Sequence, residues 1–244
     1  MIKIEICAGS VNSALIAQQG GAYRVELCDN LKEGGTTPSY AQIAMARKLL
    51  NIKLYVIIRP RGGDFLYSDL EFEIMREDIK CCQEIGCDGV VFGLLKSDGH
   101  IDIKRCLKLK EAAGNMGLTF HRAFDRCKDP LAALEDIIDL GFERILTSGL
   151  EEDALTGARL ISNLVKQAKG RISIMPGAGV RTSNLAQLIQ LTGANEFHST
   201  AKGFIESKML FRDVKTGSNQ DEFHYEQTDL QTVKTLVSIA KSFD

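Results

Sequence analysis

Several features that would mark a specialised class of protein are missing from this chain. It has no Lys/Arg-rich run, and its formal net charge is −2 with a pI near 6.1. The electrostatic footprint of a nucleic-acid binder is therefore absent. No apolar run reaches membrane-spanning length, so nothing predicts a membrane partner. The opening residues, Met1-Ile2-Lys3-Ile4-Glu5-Ile6-Cys7, put a glutamate where a secretory signal needs an apolar core. The seven cysteines are odd in number and contain no CxxC ligand pair. Without a secretory signal, that usage predicts free thiols and a cytoplasmic location. No phosphate fingerprint of the Rossmann type follows the first strand, and no linker splits the chain.

What is present is a regular alternation. The 244 residues are 44% hydrophobic and 25% charged, enough for one large domain with a full core. Short β-branched runs predict strands over 2–7, 23–27, 53–58, 89–92, 118–121, 143–147, 171–175 and 195–198. Between them, helices are predicted over 11–19, 39–50, 69–85, 102–115, 130–140, 154–168 and 183–191, with a last one over 230–242. Repeated βα units imply parallel strands with right-handed crossovers. Eight of them in this length point to a (β/α)₈ barrel of the TIM type, with an open doubly wound sheet as the alternative. The stretch 201–229 has no clear periodicity, which predicts a functional flap or an oligomer contact.

Side chains alternate along a strand, and the outer face of a barrel meets apolar helices. The polar set should therefore face inward. That set is Glu5, Glu26, Arg59, Thr119, His121, Glu196 and His198. Strand six is ambiguous, because either Arg144 with Leu146 or Ile145 with Thr147 could face the interior.

Five features could carry chemistry. Cys7 and Cys28 end adjacent strands with the same parity, and two soft thiolates suit Cu(I); a pair of inert packing cysteines is the alternative. Arg59 and Arg61 sit where a strand gives way to Pro60, Gly62 and Gly63, offering guanidinium forks to a small anion or to neighbouring glutamates. His121, with Asp125 or the inward Glu26 beside it, could move protons. His198 is either a ligand contact or a hydrogen-bonded interior histidine. Ser148 in the Thr147-Ser148-Gly149 turn, and Gly177 and Gly179 in the next one, could present backbone N–H groups to a phosphate. Cys81, Cys82, Cys87 and Cys106 read as packing residues, and Cys127 has no evident role.

Several long motifs together resemble the CutC family of copper homeostasis proteins. They include Arg24-Val25-Glu26-Leu27-Cys28, Glu33-Gly34-Gly35-Thr36-Thr37-Pro38-Ser39, Ile58-Arg59-Pro60-Arg61-Gly62-Gly63-Asp64-Phe65 and Thr119-Phe120-His121-Arg122-Ala123-Phe124-Asp125. Met175-Pro176-Gly177-Ala178-Gly179 and Glu196-Phe197-His198 belong with them. The resemblance implies a TIM-type barrel, a cytoplasmic location, self-association as a dimer or larger homo-oligomer, and Cu(I) held by Cys7 and Cys28. The residues by themselves slightly favour the alternative, an enzyme or sensor for a small anionic or phosphorylated metabolite held by Arg59, Arg61 and the glycine-turn amides.

Overall fold

The computed structural model describes residues 1–211 and 223–243. Its elements run β1 (Lys3–Ala8), α1 (Val11–Gln19), β2 (Arg24–Leu27), α2 (Tyr40–Leu49), β3 (Lys53–Ile57) and α3 (Asp69–Ile85). They continue β4 (Gly89–Phe92), α4 (Ile103–Ala113), β5 (Gly117–Phe120), α5 (Pro130–Asp139), β6 (Arg144–Thr147) and α6 (Ala158–Ala168). The last are β7 (Ser173–Pro176), α7 (Leu185–Thr192), β8 (Glu196–Ser199), β9 (Lys202–Glu206), β10 (His224–Thr228) and α8 (Leu230–Lys241). Strands β1 to β8 form one parallel sheet in the order β7-β6-β5-β4-β3-β2-β1-β8. This is the (β/α)₈ barrel, nearly closed. Its seam lies between β7 and β8, bridged by the Ser199 hydroxyl donating to the Val180 carbonyl at 2.7 Å.

Local chemistry explains most element ends. Ser68 and Glu71 form a reciprocal capping box at the start of α3, and Gly86 ends it at φ +82°. Pro130 opens α5, where a missing N–H costs nothing, and Asp129 caps it. Helix α6 starts at Ala158 rather than 154, because Gly157 is drawn tightly against Ser148 and Gly149.

Alternation then builds two different faces. Ile4, Ile6, Val25, Leu27, Leu54, Val56, Val90, Phe92, Leu118, Phe120, Ile145 and Phe197 point outward and are buried under the helices. Each such aliphatic chain contributes about 1.5–3 kcal/mol of transfer free energy. The inward face is polar, as the alternation predicts. β6 resolves with Arg144 and Leu146 inward.

The stretch 201–229 is partly ordered. β9 and β10 pair antiparallel as a hairpin ahead of α8, and the intervening 212–222 lie outside the described residues. Most hairpin positions are exposed, on both faces, so no alternation marks them in the sequence.

Candidate functional site

The floor of the barrel is an ion-pair network. Arg24 donates through Nε to Glu5 and through Nη2 to Glu196 at 2.7 Å. Arg144 donates through Nε to the same Glu196 oxygen at 3.0 Å and through Nη1 to Thr119 at 3.1 Å. Both guanidiniums lie over the ring of Tyr55, at 5.0 and 5.1 Å. That ring fills the barrel because Gly89 and Gly117 leave room for it; a Cβ at Gly117 would stand 1.9 Å from the Tyr55 hydroxyl oxygen. Burial works against ionisation of Glu5, but Arg24 and His198 overcome it and hold the carboxyl well below its usual range.

Above the floor, at the C-terminal ends of the strands, the network meets the thiols. Glu5 Oε1 lies 2.7 Å from His198 Nδ1. That contact turns His198 Nε2 upward, 3.6 Å from Glu26 Oε2. Donor atoms of Cys7, Glu26 and His198 all fall within 4.8 Å of one another, and all three residues are buried. Cys28 completes the group, its Sγ 3.4 Å from Cys7 Sγ. The hydrogen bond from Cys28 is the main cause that brings the Cys7 thiol down to about 6, against the penalty of burial. The same bond, with burial, holds Cys28 well above the ordinary thiol value. Burial and the neighbouring Cys7 charge push Glu26 upward. Burial opposes charge on His198, yet hydrogen bonds to Cys7 and Glu5 raise it well above the usual imidazole value.

This donor set suits a soft metal ion. Two thiols at van der Waals contact, an imidazole nitrogen whose other ring nitrogen is anchored on a carboxylate, and a carboxyl group nearby are the parts of such a centre.

The other expected site residues divide. His121 is buried at the same mouth, its Nδ1 accepting from the Ala123 N–H at 3.2 Å. Burial first, and the Arg59 charge second, bring it down to about 3, so it does not titrate near neutrality as its type suggests. Arg59 faces the mouth but is held by carbonyls: Nη1 donates to Glu33 and Gly35 at 2.7 Å, Nη2 to Gly63 at 2.8 Å. Gly177 sits against Leu146 and His198, and Gly179 lines the outer cleft. Asp125 accepts from Thr147 Oγ1 at 2.5 Å, from the Ser148 N–H and hydroxyl at 3.0 Å, and from Arg122 at 2.7 Å. It and Ser148 thus tie one loop to the next. Arg61 turns away to Glu71 and Asp64 and is not part of the mouth. Arg24 was not singled out in the sequence, although it shares its parity with Glu26.

The fold and the cluster define a class: a TIM-type barrel with a thiol–imidazole–carboxylate group at its mouth. The chain belongs to the CutC family, whose model matches residues 2–203. It is 52% identical over 236 residues to a CutC-family protein of Chromobacterium violaceum, covering 96% of each chain. It is 48% identical to the human copper homeostasis protein cutC homolog, covering 98% of this chain and 89% of the relative. A crystal structure of a CutC protein from Streptococcus agalactiae superposes with a TM-score of 0.79 at 40% identity, covering 82% of this chain and 99% of that one. Thiamine phosphate pyrophosphorylase from Pyrococcus furiosus, at 14% identity and a TM-score of 0.61, shares the barrel fold. Among the described residues, no helix is long and apolar enough to cross a membrane.

Proposed function

We propose that this copper homeostasis family member binds Cu(I) through Cys7 and Cys28, with His198 Nε2 as the third donor. The observation that carries the reading is the 3.4 Å separation of the two Sγ atoms beside an imidazole anchored on Glu5. Soft thiolates select Cu(I), which accepts few ligands. Cys7 is already largely ionised near neutral pH, so binding has to expel a proton mainly from Cys28 and from His198. Ile57 and Leu31 pack against one side of the thiols, and Cys7 also lines the cleft. All cysteines are free, which suits a reducing cytoplasm. Exposed Phe204, Tyr225, Leu210 and Phe211 on and beside the hairpin support self-association through that face.

Anaerobic titration of reduced protein with Cu(I) against a competing chelator tests the reading, with Zn(II) run in parallel. Cys7→Ser/Cys28→Ser should weaken Cu(I) on the order of a hundredfold or more, beyond the tenfold to hundredfold that outer-sphere changes produce. Equal affinity in the two proteins would end it.

A further inference from the structure

The thiol pair and His198 also line a small cavity whose other walls copper binding leaves unused. Glu26, Ile57, Arg59, Phe65, His121 and Leu146 help enclose a cavity of about 90 Å³. That is room for about three waters, or for a head group of similar size.

Three lining side chains, each at least nine-tenths buried, present a polar atom with no partner in the protein: His121 Nε2, Arg59 Nε and Glu26 Oε1. The Ala123 N–H occupies His121 Nδ1, so the neutral ring carries its proton on Nε2 and is a donor there. Phe65 packs on the ring at 4.9 Å and fixes its plane. Glu26 Oε1 is an acceptor. Buried polar atoms left unmatched are a standing penalty that a complementary ligand removes. Two donors and one acceptor on the same small cavity suit a carbonyl oxygen, which accepts twice, and a hydroxyl on the adjacent carbon.

Cys7, Gly34, Arg122 and His198 line both this cavity and a wider cleft of about 660 Å³. The cleft carries Lys32, Arg122, Arg181 and Lys202 against the single carboxylate Glu226. It therefore favours an anion on the solvent side of the head group. Arg59, locked onto three carbonyls, adds a fixed positive wall inside.

We propose that this cavity binds the hydroxy-carbonyl head of a small phosphorylated metabolite, with His121 Nε2 donating to its carbonyl oxygen and Glu26 Oε1 accepting from its hydroxyl. The phosphate lies in the cationic cleft. The cavity shares Cys7, Cys28 and His198 as lining with the copper site, but the two atoms assigned to the head group, His121 Nε2 and Glu26 Oε1, are not among the proposed copper donors.

Calorimetry on the metal-free, reduced full chain tests this, using dihydroxyacetone phosphate, glycerol 3-phosphate and inorganic phosphate as probes. Dihydroxyacetone phosphate should bind at least about tenfold tighter than either of the others, as expected when a buried donor gains a partner. His121→Phe keeps the ring and removes the N–H; it should abolish that preference while retaining phosphate-level binding. Should that variant unfold, Glu26→Met, which keeps the length and removes the acceptor, must abolish the preference instead. Cys7→Ser/Cys28→Ser should retain it, which separates this site from the copper reading. No preference in the wild type, or a preference unchanged in a folded His121→Phe or Glu26→Met protein, overturns the proposal.

Discussion

Cys7 and Cys28 stand at the mouth ends of neighbouring parallel strands, with their Sγ atoms 3.4 Å apart. The pair shares one hydrogen bond, and its two members are shifted in opposite directions: Cys7 down to about 6, Cys28 well above the ordinary thiol value. Thiolate rather than thiol reacts with alkylating agents. Limited iodoacetamide treatment at pH 7 should therefore label Cys7 before Cys81, although Cys81 is the more exposed and is shifted upward by burial and nearby acids. The rate at Cys7 should fall through an inflection near pH 6. Peptide mass spectrometry reads the order, and preferential labelling of Cys81 would contradict the assignment.

His121 makes the fold acid-sensitive in a defined window. Its pKa drops from 6.5 to about 3 on folding, through burial and the Arg59 charge. Between those values the unfolded chain binds the extra proton, so stability rises with pH across the window. The contribution is complete above 6.5 and is lost progressively as pH falls toward 3. From pH 6.5 to 5 the loss amounts to about 2 kcal/mol. Urea midpoints at pH 7 and 5 should therefore converge in His121→Phe relative to wild type. An unchanged pH dependence would mean that the imidazole is not held neutral.

Arg24 bridges two buried carboxylates, Glu5 and Glu196. Arg24→Met removes the bridge and leaves Glu5 with His198 and Glu196 with Arg144 as their remaining buried partners. Breaking a buried pair costs about 3–5 kcal/mol, and urea denaturation should show a loss of that size at pH 7. Since both carboxyls are held below their usual value, their contribution is present above pH 4.5 and shrinks as the pH falls below it. The deficit of the variant should accordingly narrow in acid.

Gly117→Ala tests the packing of the floor. The new methyl would meet the Tyr55 hydroxyl, whose ring is flanked by the Arg24 and Arg144 guanidiniums. Overpacking of this kind costs about 1–3 kcal/mol. A thermal midpoint equal to wild type would show that the ring moves freely.

Strand periodicity made much of this legible in the sequence. A period of two is a local property, so it placed Glu5, Glu26, Arg59, Thr119, His121, Glu196 and His198 in the barrel interior, where all are buried. The same parity brought Cys7 toward Cys28. Beyond the strands the rule fails, because loops have no fixed period. Arg61 lies past Pro60, where the chain turns, and its fork goes to Glu71 on α3. Asp125 is next to His121 in the sequence motif, yet its oxygens serve the loop after β6, a non-local pairing. The sequence also could not reveal the His121 environment, because a pKa depends on burial by distant segments. Arg24 could have been found: it shares the inward parity of Glu26, and an interior holding several carboxylates needs cations.

The most direct test of the thiol centre is X-ray absorption at the copper edge of the Cu(I)-loaded protein. Two sulfur neighbours should surround the metal in the wild type, falling to one in Cys28→Ser. A shell without sulfur, or one unchanged when both cysteines are replaced, would contradict copper binding by Cys7 and Cys28.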